Sequence, residues 1–271
     1  MNILEAIIER KKIEVEERKA STPIEVLQQS ELYVRPRLSL KQFLLDESKT
    51  GIIAEFKRRS PSKGSINENA DVVEVTTSYA NNGASCLSVL TDELFFGGST
   101  EDLIKARVNK IPILRKDFII DEYQITEAKA MGADVILLIA ACLSPFEVKR
   151  LAAFAKSLGL EVLLELHGEE ELEHICDETE IVGINNRNLK TFEVDIEQSL
   201  RMAKQIPLNK IKVAESGISS IETILLFKQN GFSGFLIGEN FMKEENPGEA
   251  FKKFINQLKK DLPAGETKSS L

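Results

Sequence analysis

The sequence predicts an α/β chain folded as a single (β/α)8 TIM barrel with an N-terminal helical extension, and three observations predict it. Eight short β-branched runs recur along the 271 residues, helix-length stretches separate them, and polar residues gather at the C-terminal ends of the runs. Strand–helix alternation repeated eight times is the pattern of a closed parallel barrel, and about 250 residues is its usual size. The chain divides into an extension over 1–47, a barrel over 48–262 and a frayed tail over 263–271.

The extension comes first. Ile3, Leu4, Ile7 and Ile8 form a helical stripe, with a charged stretch over 9–19 behind it. A second short helix is expected over 38–45. Such an extension can cap the bottom of the barrel, lie over its mouth, or present a surface to a partner, and periodicity does not decide among the three. The strand runs follow: GIIAEFK (51–57), CLSVLTD (86–92), PILRKDF (112–118), DVILLIA (134–140), EVLLEL (161–166), IVGINNR (181–187), IKVAES (211–216) and GFLIGEN (234–240). The third, fourth and fifth read as buried on both faces, as parallel strands are. Between runs lie helix candidates such as DEYQITEAKAMG and SPFEVKRLAAFAKSLG; the second opens with Ser144 as N-cap and Pro145 at the first helical position, and Gly159 ends it. The tail beyond 263 has no apolar pattern.

Composition bounds the function. A net charge of −8 argues against a nucleic-acid or membrane-surface binder, while leaving room for a locally basic site. There is no secretory apolar segment and no 18-residue apolar run, so the expectation is a cytoplasmic protein. Three cysteines, Cys86, Cys142 and Cys176, fit a reducing compartment and read as structural thiols. His167 and His174 are the only histidines, and their spacing makes a weak metal case.

The most informative stretch is AEFKRRSPSKG, residues 54–64. In a strand, Glu55 and Lys57 point to the same face, so a carboxylate and an ammonium project together where the strand ends. A loop rich in anion-binding groups follows, and the pattern suggests the mouth of a site for a small phosphate-bearing acid. Lys116 ends the third strand and Glu165 the fifth, on the same rim. Crowding by a second cation, or partial burial, would make either lysine a better proton donor near neutral pH. The phosphate signal is independent: Ser216-Gly217 follows strand seven and Gly238-Glu239 ends strand eight, the loops where barrels often hold a phosphate. Residue chemistry leaves three classes open: an acid–base enzyme, a Schiff-base aldolase or sugar-phosphate isomerase, and a non-catalytic phosphate binder.

The ordered set AEFKRRSPSKG, LRKDFI, LLEL, GINNRNL, VAESGI and FLIGENFM, with the opening NILEAIIERKKIEVEERK, resembles the indole-3-glycerol phosphate synthase family of tryptophan biosynthesis over nearly the whole chain. The resemblance implies ring closure of 1-(2-carboxyphenylamino)-1-deoxyribulose 5-phosphate with loss of carbon dioxide and water, using neither a metal nor an organic cofactor. It implies a general acid at Lys116, a second acid/base group at Glu165, and a binding and catalytic pair at Glu55 and Lys57. It makes Asn185 and Arg187 polar substrate contacts, Asn185 within the catalytic set. Ser60, Ser216, Gly217, Gly238 and Glu239 become a phosphate cradle, and Phe95 and Phe118 walls for the aromatic ring. An acidic side chain at Glu239 must point away from the phosphate and offer its backbone N–H. The division of acid and base roles among Lys57, Lys116 and Glu165 stays open. The implied partner is a phosphorylated small molecule; a monomer is expected, with association with other tryptophan-pathway enzymes left open.

Overall fold

Alternation with period two places successive side chains of each strand in two different apolar environments. In the fourth strand Val135, Leu137 and Ile139 face a core shared with Ile53, Leu163 and Leu236, while Ile136 and Leu138 face the helices outside. That double burial is why these strands read as unbroken apolar runs. The computed structural model describes residues 3–188 and 193–261. Its strands are β1 (Ile52–Phe56), β2 (Cys86–Leu90), β3 (Ile113–Lys116), β4 (Val135–Ile139), β5 (Glu161–Leu166), β6 (Ile181–Asn185), β7 (Ile211–Glu215) and β8 (Phe232–Ile237). Each is parallel to the next, and β8 pairs with β1 to close the (β/α)8 barrel. The expected tail over 263–271 lies outside the described residues.

Local chemistry sets the crossovers. Ser144 caps the helix Pro145–Ser157 in a reciprocal capping box with Glu147, and Asp121 does the same for Glu122–Met131 with Gln124. Register then levels the rim: Glu55 lies beside Ser88, Leu90 beside Lys116, and Asn185 beside Glu215. The loop after β1 folds into a small antiparallel ribbon, Arg59–Ser60 against Gly64–Ser65.

The extension does two of the three things its sequence allowed. Helix α1 (Ile3–Ser21) lies over the mouth, where Ile3, Leu4 and Ile7 roof the central cavity. Arg18 pairs with Glu127 at 2.9 Å and Lys19 with Asp121 at 2.8 Å. The segment that follows passes to the opposite end. There Arg35 pairs with the buried Asp134 at the start of β4, and Ser39 bonds Glu161 at the start of β5. The helix Leu40–Leu45, capped by Ser39, sinks Leu40 and Leu44 into the barrel core and seals its bottom.

Candidate active site

Inward-facing positions near the strand ends converge on one cavity under α1. Glu55 and Lys57 come from β1 and its end, Lys116 from β3, Glu165 and His167 from β5, Asn185 and Arg187 from β6, and Glu215 and Ser216 from β7. Two ion-pair groups organise them. Lys57 Nζ lies 2.7 Å from Glu55 Oε1, and Ser88 from β2 donates to the other Glu55 oxygen at 3.4 Å. Lys116 Nζ lies 2.6 Å from Glu165 Oε2 and 3.2 Å from Glu215 Oε2. Glu165 also accepts from Asn185 Nδ2 at 3.1 Å, and its Oε1 is 3.0 Å from His167 Nε2. Both carboxylates are buried.

Electrostatics separates the two acids. Burial raises both, but Lys116 and His167 outweigh it at Glu165, which is held well below the ordinary carboxylate range. Glu215 is pushed up instead: burial dominates, the Lys116 ammonium opposes it, and the Glu165 charge adds to it. Burial works to lower Lys116, yet Glu165, Glu215 and Glu55 overcome it and hold the ammonium above its usual value. This reverses the direction expected from crowding by a second cation: the neighbours are carboxylates, so the group stays charged. His167 is raised to about 9, its own burial being outweighed by Glu165 and Glu171.

The other expected residues divide as follows. Ser60 and Phe118 line the cavity. Phe95 does not; Phe96 takes that wall, with its ring centroid 5.9 Å from that of Phe118. Neighbouring positions on a helix point about 100° apart, and in the four-residue helix Glu93–Phe96 it is the last residue that faces in. Gly217, Gly238 and Glu239 line an adjoining recess together with Lys57, Arg187, Ser216 and Lys243. The Glu239 carboxylate turns to Arg187 at 3.2 Å and to Lys63 at 3.6 Å. Burial raises it, Arg187 more than offsets that, and it stays ionised. Leu189 of the GINNRNL motif lies outside the described residues.

Sequence reasoning left four participants unassigned: Glu215, His167, Phe96 and the α1 roof. Glu215 had a signal, since it shares the inward phase of Ile211 and Val213. Gly183 was another: a Cβ there would overlap the Glu215 carboxylate, so the glycine of β6 makes the room Glu215 occupies. His174, by contrast, is buried between the Glu171 and Leu143 carbonyls and is structural. Among the described residues no group of three His, Cys, Asp or Glu side chains is placed to hold a metal ion, and no helix is long and apolar enough to cross a membrane.

A closed parallel barrel whose rim gathers lysine–carboxylate pairs beside an aromatic wall, next to a glycine-bearing recess after β7 and β8, defines an acid–base barrel enzyme for a small anionic substrate. The chain belongs to the indole-3-glycerol phosphate synthase family, whose family model matches residues 4–254. The indole-3-glycerol phosphate synthase of Bacteroides thetaiotaomicron is 50% identical over 258 residues, covering 95% of this chain and 99% of its own. That of Salinibacter ruber is 44% identical over 264 residues, covering 96% and 97%. Solved structures more distant in sequence share the fold. KGPDC from Streptococcus mutans superposes with a TM-score of 0.58 at 15% identity, over 77% of this chain and 97% of its own. A mutant tryptophan synthase α-subunit from Pyrococcus furiosus has the same TM-score at 17% identity, over 78% and 98%.

Proposed function

We propose that this chain closes the indole ring of 1-(2-carboxyphenylamino)-1-deoxyribulose 5-phosphate, releasing carbon dioxide and water to leave indole-3-glycerol phosphate. One observation carries the reading. Lys116, charged and clamped between Glu165 and Glu215, sits in a cavity with the Phe96–Phe118 pair on one wall and the β7–β8 recess adjoining it. A chain with an aryl group at one end and a phosphate at the other is held folded by such a cavity, which brings the ring carbon to the ketose carbonyl.

The residues then take roles. The ring carbon that bears the carboxylate attacks the carbonyl carbon, and Lys116 delivers a proton to the oxygen as it becomes a hydroxyl. The carbon–carboxylate bond breaks, its electron pair restores the aromatic ring, and carbon dioxide leaves. In the last step the hydroxyl departs as water with a proton from the Lys116–Glu215 side, while Glu165 takes the proton lost from the adjacent carbon. Asn185 and His167 orient Glu165, and Glu55 positions Lys57 toward the substrate. Ser60, Arg187, and the backbone at Ser216, Gly217, Gly238 and Glu239 hold the phosphate. The same reading makes the protein a cytoplasmic monomer that needs no metal or organic cofactor, with association with other enzymes of tryptophan synthesis left open. The unpaired Cys86, Cys142 and Cys176 agree with a reducing compartment.

Incubating the purified protein with the anilino-deoxyribulose phosphate should raise indole fluorescence with time. No product from folded protein would overturn the reading. A borohydride-trapped adduct on Lys57 or Lys116 would favour an imine-forming aldolase instead.

A further inference from the structure

The charged stretch of α1 holds a lysine where the helix's buried stripe continues. Ile7, Lys11 and Val15 fall four apart on one face, and all three are buried. Lys11 is only 1% exposed. Its ammonium is 2.8 Å from Glu14 of its own helix, 3.0 Å from Asp92 and 2.9 Å from Asp117. A buried ammonium is tolerated only when paired, and here the partners are carboxylates beyond the ends of two neighbouring strands, β2 and β3.

Each of those carboxylates fixes an aromatic wall of the cavity. Asp92 caps the helix Glu93–Phe96, accepting from the N–H of Phe95 at 2.8 Å and of Phe96 at 3.3 Å. Asp117 directly follows Lys116 and accepts from the N–H of Phe118 at 2.8 Å and from the Thr91 hydroxyl at 2.6 Å. Phe96 and Phe118 meet at a tilt of 40°. One turn before Lys11, Ile7 roofs the same cavity. A single ammonium therefore touches the anchor points of the roof and of both walls. Arg115 supports Asp117 at 3.1 Å, so Lys11 is the group that joins Asp92 to Asp117.

We propose that Lys11 is a positioning residue for the aryl end of the substrate: it ties the roof helix to the two loops carrying Phe96 and Phe118, and so sets the gap a planar ring enters. The proposal rests on the reading above for what fills the cavity. A methionine at this position keeps the apolar stem but removes the cation that Asp92 and Asp117 share, leaving Arg115 to balance Asp117. The roof helix then loses its tie to both loops, and the Asp92 loop, having lost the ammonium, shifts Phe96 against Phe118.

The test compares wild type with Lys11→Met. Titration with 2-aminobenzoate, a fluorescent planar aryl acid, reads the ring site without turnover; inhibition by inorganic phosphate reads the far end of the cavity. In Lys11→Met the dissociation constant for 2-aminobenzoate and the substrate KM should rise roughly tenfold, the scale of one lost aromatic contact. The inhibition constant for phosphate should stay put. Asp92→Asn, whose amide oxygen still caps the helix, should move the same quantities by less, and it carries the test alone if Lys11→Met does not fold. Unchanged 2-aminobenzoate binding, or equal weakening of aryl and phosphate binding, would overturn the role. An inert wild type overturns the proposed activity, whereas an active wild type with an unshifted variant overturns only Lys11.

Discussion

Replacing Lys116 with methionine removes Nζ, the atom that serves two carboxylates at 2.6 and 3.2 Å, and leaves an unbranched, uncharged side chain one atom shorter. The cost in rate follows from the loss of a positioned proton donor, typically ~10²–10⁴-fold in kcat. That is about 3–5 kcal/mol of transition-state stabilisation. The cost in stability is smaller. Breaking a buried ion pair typically costs about 3–5 kcal/mol because a charge is left stranded. Here Glu215 is already pushed toward its neutral form by burial and by Glu165, so it takes up a proton and relieves the stranding. The side chain also keeps some contact with the cavity, being 16% exposed. The expected result is a folded protein with a slightly lower Tm and almost no product fluorescence at saturating substrate. Circular dichroism melting and a fluorescence time course measure the two separately. A folded Lys116→Met protein with near-normal kcat would remove Lys116 from the chemistry and with it the proposed acid.

Glu165→Gln keeps the hydrogen bonds from Lys116 and Asn185 but cannot exchange a proton, so kcat should fall far more than KM rises. A raised KM at unchanged kcat would make Glu165 a binding residue. His167 has its folded pKa raised from 6.5 to about 9, so the stability it contributes is complete below pH 6.5 and is lost as the pH climbs through 9. His167→Gln should flatten the Tm profile across that window and move the acid limb of kcat/KM upward, because Glu165 loses a cation that holds it ionised; an unshifted limb with an unchanged slope refutes the pairing. At Gly217, φ is +68° and a Cβ would overlap Val194, so Gly217→Val should cost stability by itself, on the order of 1–3 kcal/mol of backbone strain before the overlap. Adding Val194→Ala should relieve the overlap without restoring competitive inhibition by inorganic phosphate; full restoration would place the phosphate elsewhere.

The barrel was legible because buried parallel strands are unbroken β-branched runs, and because the rim residues interrupt them at the same relative place each time. Glu55, Lys116, Glu165 and Asn185 could be read from phase alone: each is the inward-facing residue at or beside its strand's end. What phase does not carry is distance across the barrel. Glu215 meets Lys116 only because the sheet closes, and those residues are 99 apart in the chain. Phe95 and Phe96 could not be told apart, because the facing side is set by the Asp92 cap of a one-turn helix. The extension was ambiguous for the same reason. Its partners, Asp92 and Asp117 above and Asp134 and Glu161 below, come from β2 through β5, and helical periodicity names only the face, never what covers it. Lys11 was hidden in a run of charges that reads as solvated surface, although it is among the most buried side chains of the molecule.

An acidic protein that binds an acidic substrate has to keep its cations in place when the substrate is absent, and the rim does this in two grades. The deep grade pairs Lys57 with Glu55 and Lys116 with Glu165 and Glu215, where the carboxylates are at most 5% exposed. The outer grade pairs Arg187 with Glu239 at 3.2 Å, with 24% and 34% of those side chains exposed. Water weakens the outer pair, so on the proposed reading the substrate phosphate competes for Arg187 on favourable terms while Glu239 retains Lys63 as a second partner. The deep pairs lie further from water, where attraction is less screened, and Lys116 is held by two carboxylates at once. On the proposed reading, a substrate can therefore exchange partners at Arg187 while Lys116 stays held between its two carboxylates. That is the order the proposed chemistry needs: binding energy is taken at the mouth, and the groups that move protons meet the carbonyl already aligned.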